Sequence, residues 1–118
     1  MYKNIYEKYH AAYNELKKNF SDHNKYQFDK NPTGFYMTFI TWCEKYQAAK
    51  NFDFDNFDHE RAYEFKQLLK DPIKNFNYVF GNECFTSFKK ETVEKIVKIL
   101  NESEETKYIS NLTYLRKE

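Results

Sequence analysis

The chain contains few of the residues that make turns. Its 118 residues include two glycines, Gly34 and Gly81, and two prolines, Pro32 and Pro72. A β protein with many tight turns needs more of both residue types, so their scarcity favours a helical fold. Two glycines so far apart cannot form a phosphate-binding glycine-rich loop, and the sequence has no CxxC, HExxH or GxSxG motif.

Long apolar segments are also absent. No stretch approaches the roughly 18 apolar residues of a membrane-spanning helix, and the first residues, MYKNIYEKYHAAYNEL, contain no apolar core of a signal peptide. Cys43 and Cys84 lie far apart in the sequence, and we expect two reduced, buried thiols rather than a disulfide. These features predict a cytoplasmic protein that does not bind a membrane.

Aromatic residues are what the chain has in excess. It contains 11 Tyr, 12 Phe and 1 Trp, against 15 Leu, Ile and Val together. Each buried aromatic side chain removes about 150–250 Å² from water, so a few Phe and Tyr can replace many aliphatic side chains. A chain of this length normally forms one domain. We therefore expect residues 1–118 to form a single helical domain with an aromatic-rich core.

The charges of the chain are balanced. It has 19 basic and 18 acidic residues, which give a net charge of +1. A domain that binds DNA is usually strongly basic, so this balance argues against DNA binding as the main function. Lys, Asn, Phe, Tyr and Ile make up 58 of the 118 residues, and all five have AT-rich codons. Such a composition is common in small open reading frames of phages and mobile elements from low-GC bacteria.

The N-terminal half predicts two amphipathic helices. Residues 2–20 place apolar residues at helical spacing, whereas residues 21–30, SDHNKYQFDK, are polar and aperiodic and predict a loop. Asn31-Pro32 is a good helix start, because Asn can cap a helix and Pro suits its first position. The apolar stripe that follows has spacings of four, three, four and three residues: Phe35, Phe39, Trp42, Tyr46 and Ala49.

The C-terminal half predicts three or four further helices. The boundary signals are Asp58 and Asp71-Pro72 at helix starts, Gly81 at a helix end, and Thr86 or Ser87 at the next start. The expected buried positions are Ala62, Phe65, Leu68 and Leu69, then Val93, Ile96, Val97 and Leu100, and in a last helix Tyr108, Ile109, Leu112 and Leu115.

These patterns predict an all-α fold, a compact bundle of five or six short helices with an aromatic-rich core. The alternative is an α+β fold with one or two hairpins, because Phe, Tyr, Thr and Ile also favour strands. The hairpins would lie near residues 25–42 and 76–88. The regular stripe that ends at Ala49 favours the helix over the first of them.

One acidic segment lies between two predicted helices, where a calcium-binding loop would lie. Asp53, Asp55 and Glu64 would take positions 1, 3 and 12 of such a loop. Positions 5 and 6 would be Phe57 and Asp58, where an oxygen ligand and a glycine are expected. We therefore assign no metal site, and we interpret the acids as a helix start that the helix dipole favours.

A second candidate for chemistry is the segment that contains His59, Glu60 and Glu64. Glu60 and Glu64 share a helix face, and two carboxylates at that spacing can do acid–base work. Beside Arg61 and Lys66, however, the same pattern is typical of a solvated helix face. We assign no catalytic residue and no cofactor, and the sequence predicts that the protein is not an enzyme.

The function that we predict is protein–protein interaction. The chain has more Tyr and Phe than a core of this size readily buries, and exposed aromatic side chains are typical of interfaces. We expect a small accessory or inhibitory protein, from a phage or mobile element of a low-GC bacterium, that acts on a larger host machine. A homodimer would also bury the aromatic surplus. The residues expected to bind a partner are Tyr26, Phe28, Phe52, Phe54, Phe57, Phe85, Phe88, Lys89, Lys90, Tyr108 and Tyr114.

The alternative is a nucleic-acid-binding or replication accessory protein. Lys and aromatic residues interleave in KYQFDK, FTSFKK and YISNLTYLRK, as they do on surfaces that bind single strands. This alternative requires one face to collect the basic residues of the C-terminal half, namely Lys89, Lys90, Lys95, Lys98, Lys107, Arg116 and Lys117.

Overall fold

The computed structural model describes residues 2–55 and 59–103. Within these ranges the chain forms six helices and no β-strand, which confirms the all-α prediction. The hairpins considered near 25–42 and 76–88 are wrong, because most of those residues lie in helices. The helices are α1 (Ile5–Lys18), α2 (Asp22–Lys30), α3 (Pro32–Lys50), α4 (His59–Lys70), α5 (Pro72–Glu83) and α6 (Lys90–Leu100).

Helix α3 is central and packs against α1, α2, α4 and α5. Asn31 caps it as predicted, because its Oδ1 accepts a hydrogen bond from the Gly34 N–H at 3.0 Å. The Trp42 Nε1–H donates to Asn75 Oδ1 at 2.7 Å, which satisfies the polar atom of a buried indole. The predicted apolar stripe is confirmed, since all five of its side chains are buried: Phe35, Phe39, Trp42, Tyr46 and Ala49.

The centre of the core consists of aromatic rings, as predicted. The ring centroids of Phe76 and Phe80 are 4.7 Å apart, and Phe80 lies 5.2 Å from Phe35. Phe88, which follows α5 in the chain, meets Phe80 edge to face at 5.4 Å. Such pairs contribute about 0.5–1.5 kcal/mol each beyond the area that they bury.

Helices α1 and α6 pack along each other, and the predicted core face of α6 is largely buried. Two lysines bind the backbone at the end of α6. The Lys50 Nζ donates to the Leu100 carbonyl at 3.2 Å, and the buried Lys8 Nζ donates to the Glu102 carbonyl at 2.9 Å. Cations are favoured at a helix C-terminus, so these contacts tie α1 and α3 to the end of α6.

Residues 22–30 form helix α2, so the loop predicted for residues 21–30 is wrong. Ser21 caps this helix, because its Oγ accepts from the Asn24 N–H at 3.1 Å while Asn24 Oδ1 accepts from the Ser21 N–H at 2.9 Å. This reciprocal pair is a capping box. Phe28 supplies the apolar contact of α2, at 5.5 Å from Phe20.

Two predicted boundaries differ from the structure. Gly81 lies inside α5, which continues to Glu83, because the Cys84 N–H still donates to the Phe80 carbonyl at 2.8 Å. Helix α6 begins at Lys90, and neither Thr86 nor Ser87 caps it.

One further predicted helix cap is confirmed, and two predictions fall outside the described residues. Asp71 caps α5 as predicted, since its Oδ1 accepts from the Lys74 N–H at 3.1 Å. The predicted cap Asp58 and the last helix, with its four apolar residues, lie outside the described residues. In the described ranges no helix has the length and apolar character that crossing a membrane requires.

Across residues 2–55 and 59–103, one buried side-chain hydroxyl of the core has no hydrogen-bond partner. The Tyr13 ring packs 5.0 Å from the Tyr36 ring and 5.1 Å from the Phe39 ring. Its Oη has no hydrogen-bond partner among the described residues. Burial, with smaller contributions from Tyr36 and Cys84, raises the pKa of Tyr13 to about 12. A buried polar group without a partner costs about 1–3 kcal/mol.

Replacing Tyr13 by Phe removes this hydroxyl and keeps the ring, so we expect the free energy of unfolding to rise by about 1 kcal/mol. Urea unfolding followed by circular dichroism measures the change. The matched control is Tyr46→Phe, because Tyr46 Oη accepts from Asn101 Nδ2 at 3.0 Å. The control should lose about 1 kcal/mol, and a Tyr13→Phe variant that is less stable than the wild type would contradict the prediction.

The raised pKa of Tyr13 also predicts a dependence on alkaline pH. The hydroxyl releases its proton near pH 10 in the unfolded chain but only near pH 12 in the folded chain. Between these values the folded state binds more protons, so the contribution of Tyr13 to stability falls as pH rises. The stability advantage of Tyr13→Phe should therefore widen above pH 10 in urea unfolding at stepped pH. An advantage that stays constant would show that Tyr13 titrates normally.

Candidate functional site

Exposure decides which of the predicted interface residues a partner could reach. The side chains of Phe85 and Tyr26 are exposed by 73% and 59%, and Lys89 and Lys90 are exposed as well. Phe88 is only 7% exposed. Its expected exposure is wrong, because its ring belongs to the aromatic core.

The other predicted aromatic residues are less available. Phe28 is partly buried against Phe20, and Phe52 and Phe54 are partly buried against each other, with ring centroids 4.9 Å apart. These three side chains pack against the core. The remaining predicted residues lie outside the described part of the chain: Phe57, Tyr108 and Tyr114.

Hydrogen bonds from α5 fix the C-terminal end of the segment that carries Phe85. This segment, the Phe85 loop, comprises residues 84–89 and connects α5 to α6. The Asn77 side chain makes two bonds to one residue of the loop. Its Oδ1 accepts from the Phe88 N–H at 2.8 Å, and its Nδ2 donates to the Phe88 carbonyl at 3.0 Å.

The middle of the Phe85 loop is fixed by α2. The buried Asn24 side chain donates from Nδ2 to Thr86 Oγ1 at 2.6 Å and to the Ser87 carbonyl at 3.0 Å. Because buried polar groups are costly to leave unpaired, these bonds and those of Asn77 define one position for the loop. The Thr86 hydroxyl is thus engaged with α2 and does not cap α6.

Phe85 itself has an unusual backbone conformation. Its φ of 58° is the one positive φ of a non-glycine residue in the described ranges. The left-handed region costs an L-residue roughly 1–2 kcal/mol. The Phe85 carbonyl accepts a hydrogen bond from His23 Nε2 at 3.2 Å. The neighbouring contacts therefore hold a strained residue whose ring projects into solvent.

A cleft of about 340 Å³ lies beside Phe85. Helix α2 contributes Gln27 and Lys30 to its walls, the start of α3 contributes Gly34, and Glu83 and Phe85 contribute the opposite side. The cleft thus has an exposed aromatic ring at its edge and charged groups of both signs along its walls.

Of the side chains on one face of α2, Gln27 and Lys30 line this cleft, and His23 and Tyr26 lie on the same helix face. His23, Tyr26, Gln27 and Lys30 have spacings of three, four and seven residues from the first, so they share one helix face. Lys30 Nζ lies 5.3 Å from the centroid of the Tyr26 ring, a cation–π distance. The Phe85 surface is defined here as Phe85, the cleft and these four side chains of α2.

Two charged side chains of the cleft have no ion-pair partner in the described part of the chain. Lys30 and Glu83 are both exposed and both line the cleft. Neither forms an ion pair with another described residue. Their charges therefore remain available to a molecule that enters the cleft.

Two of the three lysines of α6 lie close to carboxylates. Lys90 Nζ lies 4.0 Å from a carboxylate oxygen of Glu94, and Lys95 Nζ lies 3.7 Å from one of Glu15. The described part of the basic face that nucleic-acid binding requires is therefore mixed in charge. The rest of that predicted face lies outside the described residues: Lys107, Arg116 and Lys117.

The described residues of the two acidic segments either form a turn or lie exposed on a helix. Asp53 Oδ1 accepts from the Asp55 N–H at 3.0 Å, which forms a turn. His59, Glu60 and Glu64 are exposed on α4. In residues 2–55 and 59–103, no group of three His, Cys, Asp or Glu side chains could hold a metal ion.

Both cysteines are free thiols. Cys43 is fully buried, as expected, and burial raises the pKa of its thiol. Cys84 is only partly buried, and burial also raises the pKa of its thiol. Because the thiolate is the nucleophilic form, both environments oppose nucleophilic chemistry at neutral pH.

Comparison with known proteins adds no relative: no protein-family model, no curated protein and no solved structure matches this chain. The function must therefore be inferred from the physical features of the Phe85 surface.

The strained backbone of Phe85 predicts the effect of two substitutions. Glycine adopts positive φ without steric cost, whereas alanine keeps a Cβ. We expect Phe85→Gly to have a free energy of unfolding about 1 kcal/mol higher than Phe85→Ala. Both variants lack the ring, so the comparison isolates the backbone. Urea unfolding measures it, and an alanine variant that is the more stable of the two would exclude the left-handed conformation.

Proposed function

We propose that this chain is a small, non-enzymatic protein–protein interaction module that docks through the Phe85 surface. The observation that carries the proposal is the Phe85 ring, which is 73% exposed although its loop is fixed by hydrogen bonds. Aromatic side chains are enriched at protein interfaces, and buried aromatic anchors dominate their binding energy.

The Phe85 loop favours binding because its backbone is already ordered before a partner docks. A mobile loop that must be ordered when two proteins bind lowers their affinity, because its conformational freedom is lost. The bonds from Asn24 and Asn77 have already fixed the backbone around Phe85. Burial of the Phe85 ring against a partner would therefore contribute with a reduced entropic cost.

The strain at Phe85 supports the same proposal. Residues in sparsely populated backbone regions persist only where their surroundings impose them, and they concentrate at functional sites. A glycine at this position would relieve the strain and remove an exposed ring. The ring of Phe85 is largely exposed and lies outside the hydrophobic core, so a use outside the fold explains its presence.

The composition supports a narrower form of the proposal. A small chain with the residue usage of a low-GC genome fits an accessory or inhibitory protein of a phage or mobile element. Such a protein would act in the cytoplasm on a larger host machine. Occupying a functional surface of that machine suffices for inhibition, so a catalytic centre is unnecessary.

The test is affinity capture from the lysate of a low-GC bacterium, with tagged wild type, Phe85→Asp and Tyr6→Asp. Tyr6 is the matched control, because it is 63% exposed and lies on α1, outside the Phe85 surface. We expect one discrete protein partner that wild type and Tyr6→Asp retain and Phe85→Asp loses. The partner should survive nuclease treatment of the lysate.

Two outcomes would count against this function. Equal capture by Phe85→Asp and wild type would exclude the Phe85 surface as the docking site. Recovery of nucleic acid, with every protein partner lost after nuclease treatment, would favour the nucleic-acid-binding alternative.

A further inference from the structure

We propose that the Phe85 surface also binds a second copy of the chain, in a two-fold symmetric dimer that covers the docking site. This inference rests on the proposed function, since it uses the same surface and adds a regulation of it. The observation behind it is a juxtaposition. A projecting ring and a cleft, and a positive and a negative charge, lie side by side on one surface.

A two-fold interface brings the same patch of both copies together, so the patch must be complementary to itself. Phe85 forms an edge of the cleft and projects beyond it. In a two-fold pair, the ring of each copy can face the cleft of the other. The cleft of about 340 Å³ is larger than a phenyl ring, so both rings can be accommodated at once.

The charges of the cleft are self-complementary in the same way. Lys30 and Glu83 line the cleft, and neither has an ion-pair partner among the described residues of its own chain. A two-fold axis through the surface can place Lys30 of each copy opposite Glu83 of the second copy. The interface would then contain two symmetry-related ion pairs around two buried rings. Opposite charges across an interface fix its register and exclude mismatched arrangements.

Such a dimer would control access to the Phe85 ring. The second copy and the docking partner compete for one surface, so docking requires the dimer to dissociate. At high concentration, dimerisation also protects an exposed apolar side chain from non-specific contacts. The fraction of chains able to dock therefore falls as the concentration of the protein rises.

Sedimentation analysis of the purified chain tests the dimer directly. The wild type should change from the mass of one chain, 14.5 kDa, to twice that mass as its concentration rises. Lys30→Glu and Glu83→Lys should each weaken self-association by about tenfold or more, because like charges then face each other. Phe85→Asp should weaken it as well. Unchanged helical circular dichroism checks that each variant is folded.

A mixture of the two charge variants provides the decisive control. In a mixed pair, the Lys30→Glu copy carries two negative charges in its cleft and the Glu83→Lys copy carries two positive charges. An equimolar mixture should therefore form dimers at concentrations where each variant alone is a single chain. The double variant K30E/E83K should also recover self-association.

Three results would overturn the dimer: a wild type that remains a single chain at all concentrations, a dimer that the charge reversals leave intact, or a mixture that fails to associate. A wild type that forms larger open assemblies would also overturn it, because a two-fold interface closes after two copies. These measurements use purified protein alone. Their failure leaves docking on another protein untouched, whereas a failed capture experiment removes the proposed regulation but not the dimer itself.

Discussion

The two hydrogen bonds between the Asn77 side chain and the Phe88 backbone fix the region on which our functional interpretation depends. They hold the C-terminal end of the Phe85 loop against α5, and the Phe88 ring completes the aromatic core beside Phe80. With Phe88 placed and α5 continuing to Glu83, the chain has four residues in which to turn. The bonds from Asn24 define that turn, and Phe85 takes the left-handed conformation within it.

Much of the helical architecture follows from local signals. The caps Asn31 and Asp71, each followed by proline, and the stripe from Phe35 to Ala49 are confirmed because a cap or a repeat acts within a few residues. Local signals of this kind did not predict helix α2. It has little apolar periodicity, and its buried residue Asn24 makes its side-chain contact with Thr86, 62 residues further along the chain. The helix end predicted at Gly81 was wrong for a related reason. Glycine often ends a helix, but the packing of Phe80 extends α5 past Gly81 to Glu83.

The sequence predicted that aromatic side chains would be exposed, but not which ones. Excess aromatic residues predicted an exposed ring, and Phe85 and Tyr26 are exposed. Phe85 and Phe88 lie three residues apart in one short segment, yet one ring is in solvent and the other in the core. No local pattern separates them, because long-range bonds from α2 and α5 decide which ring turns inward. A ring held outward by a strained backbone suits a surface that binds another protein, and the self-complementary charges beside it suit a second copy.

Backbone ¹⁵N relaxation across the Phe85 loop tests the central claim, that this loop is held rigidly while its aromatic ring is exposed. Amide order parameters of Phe85, Thr86 and Ser87 should be close to those of the helices, about 0.85. Values below about 0.6 would show a flexible loop. The strain at Phe85 and the low cost of docking through its ring would then both lose their physical basis.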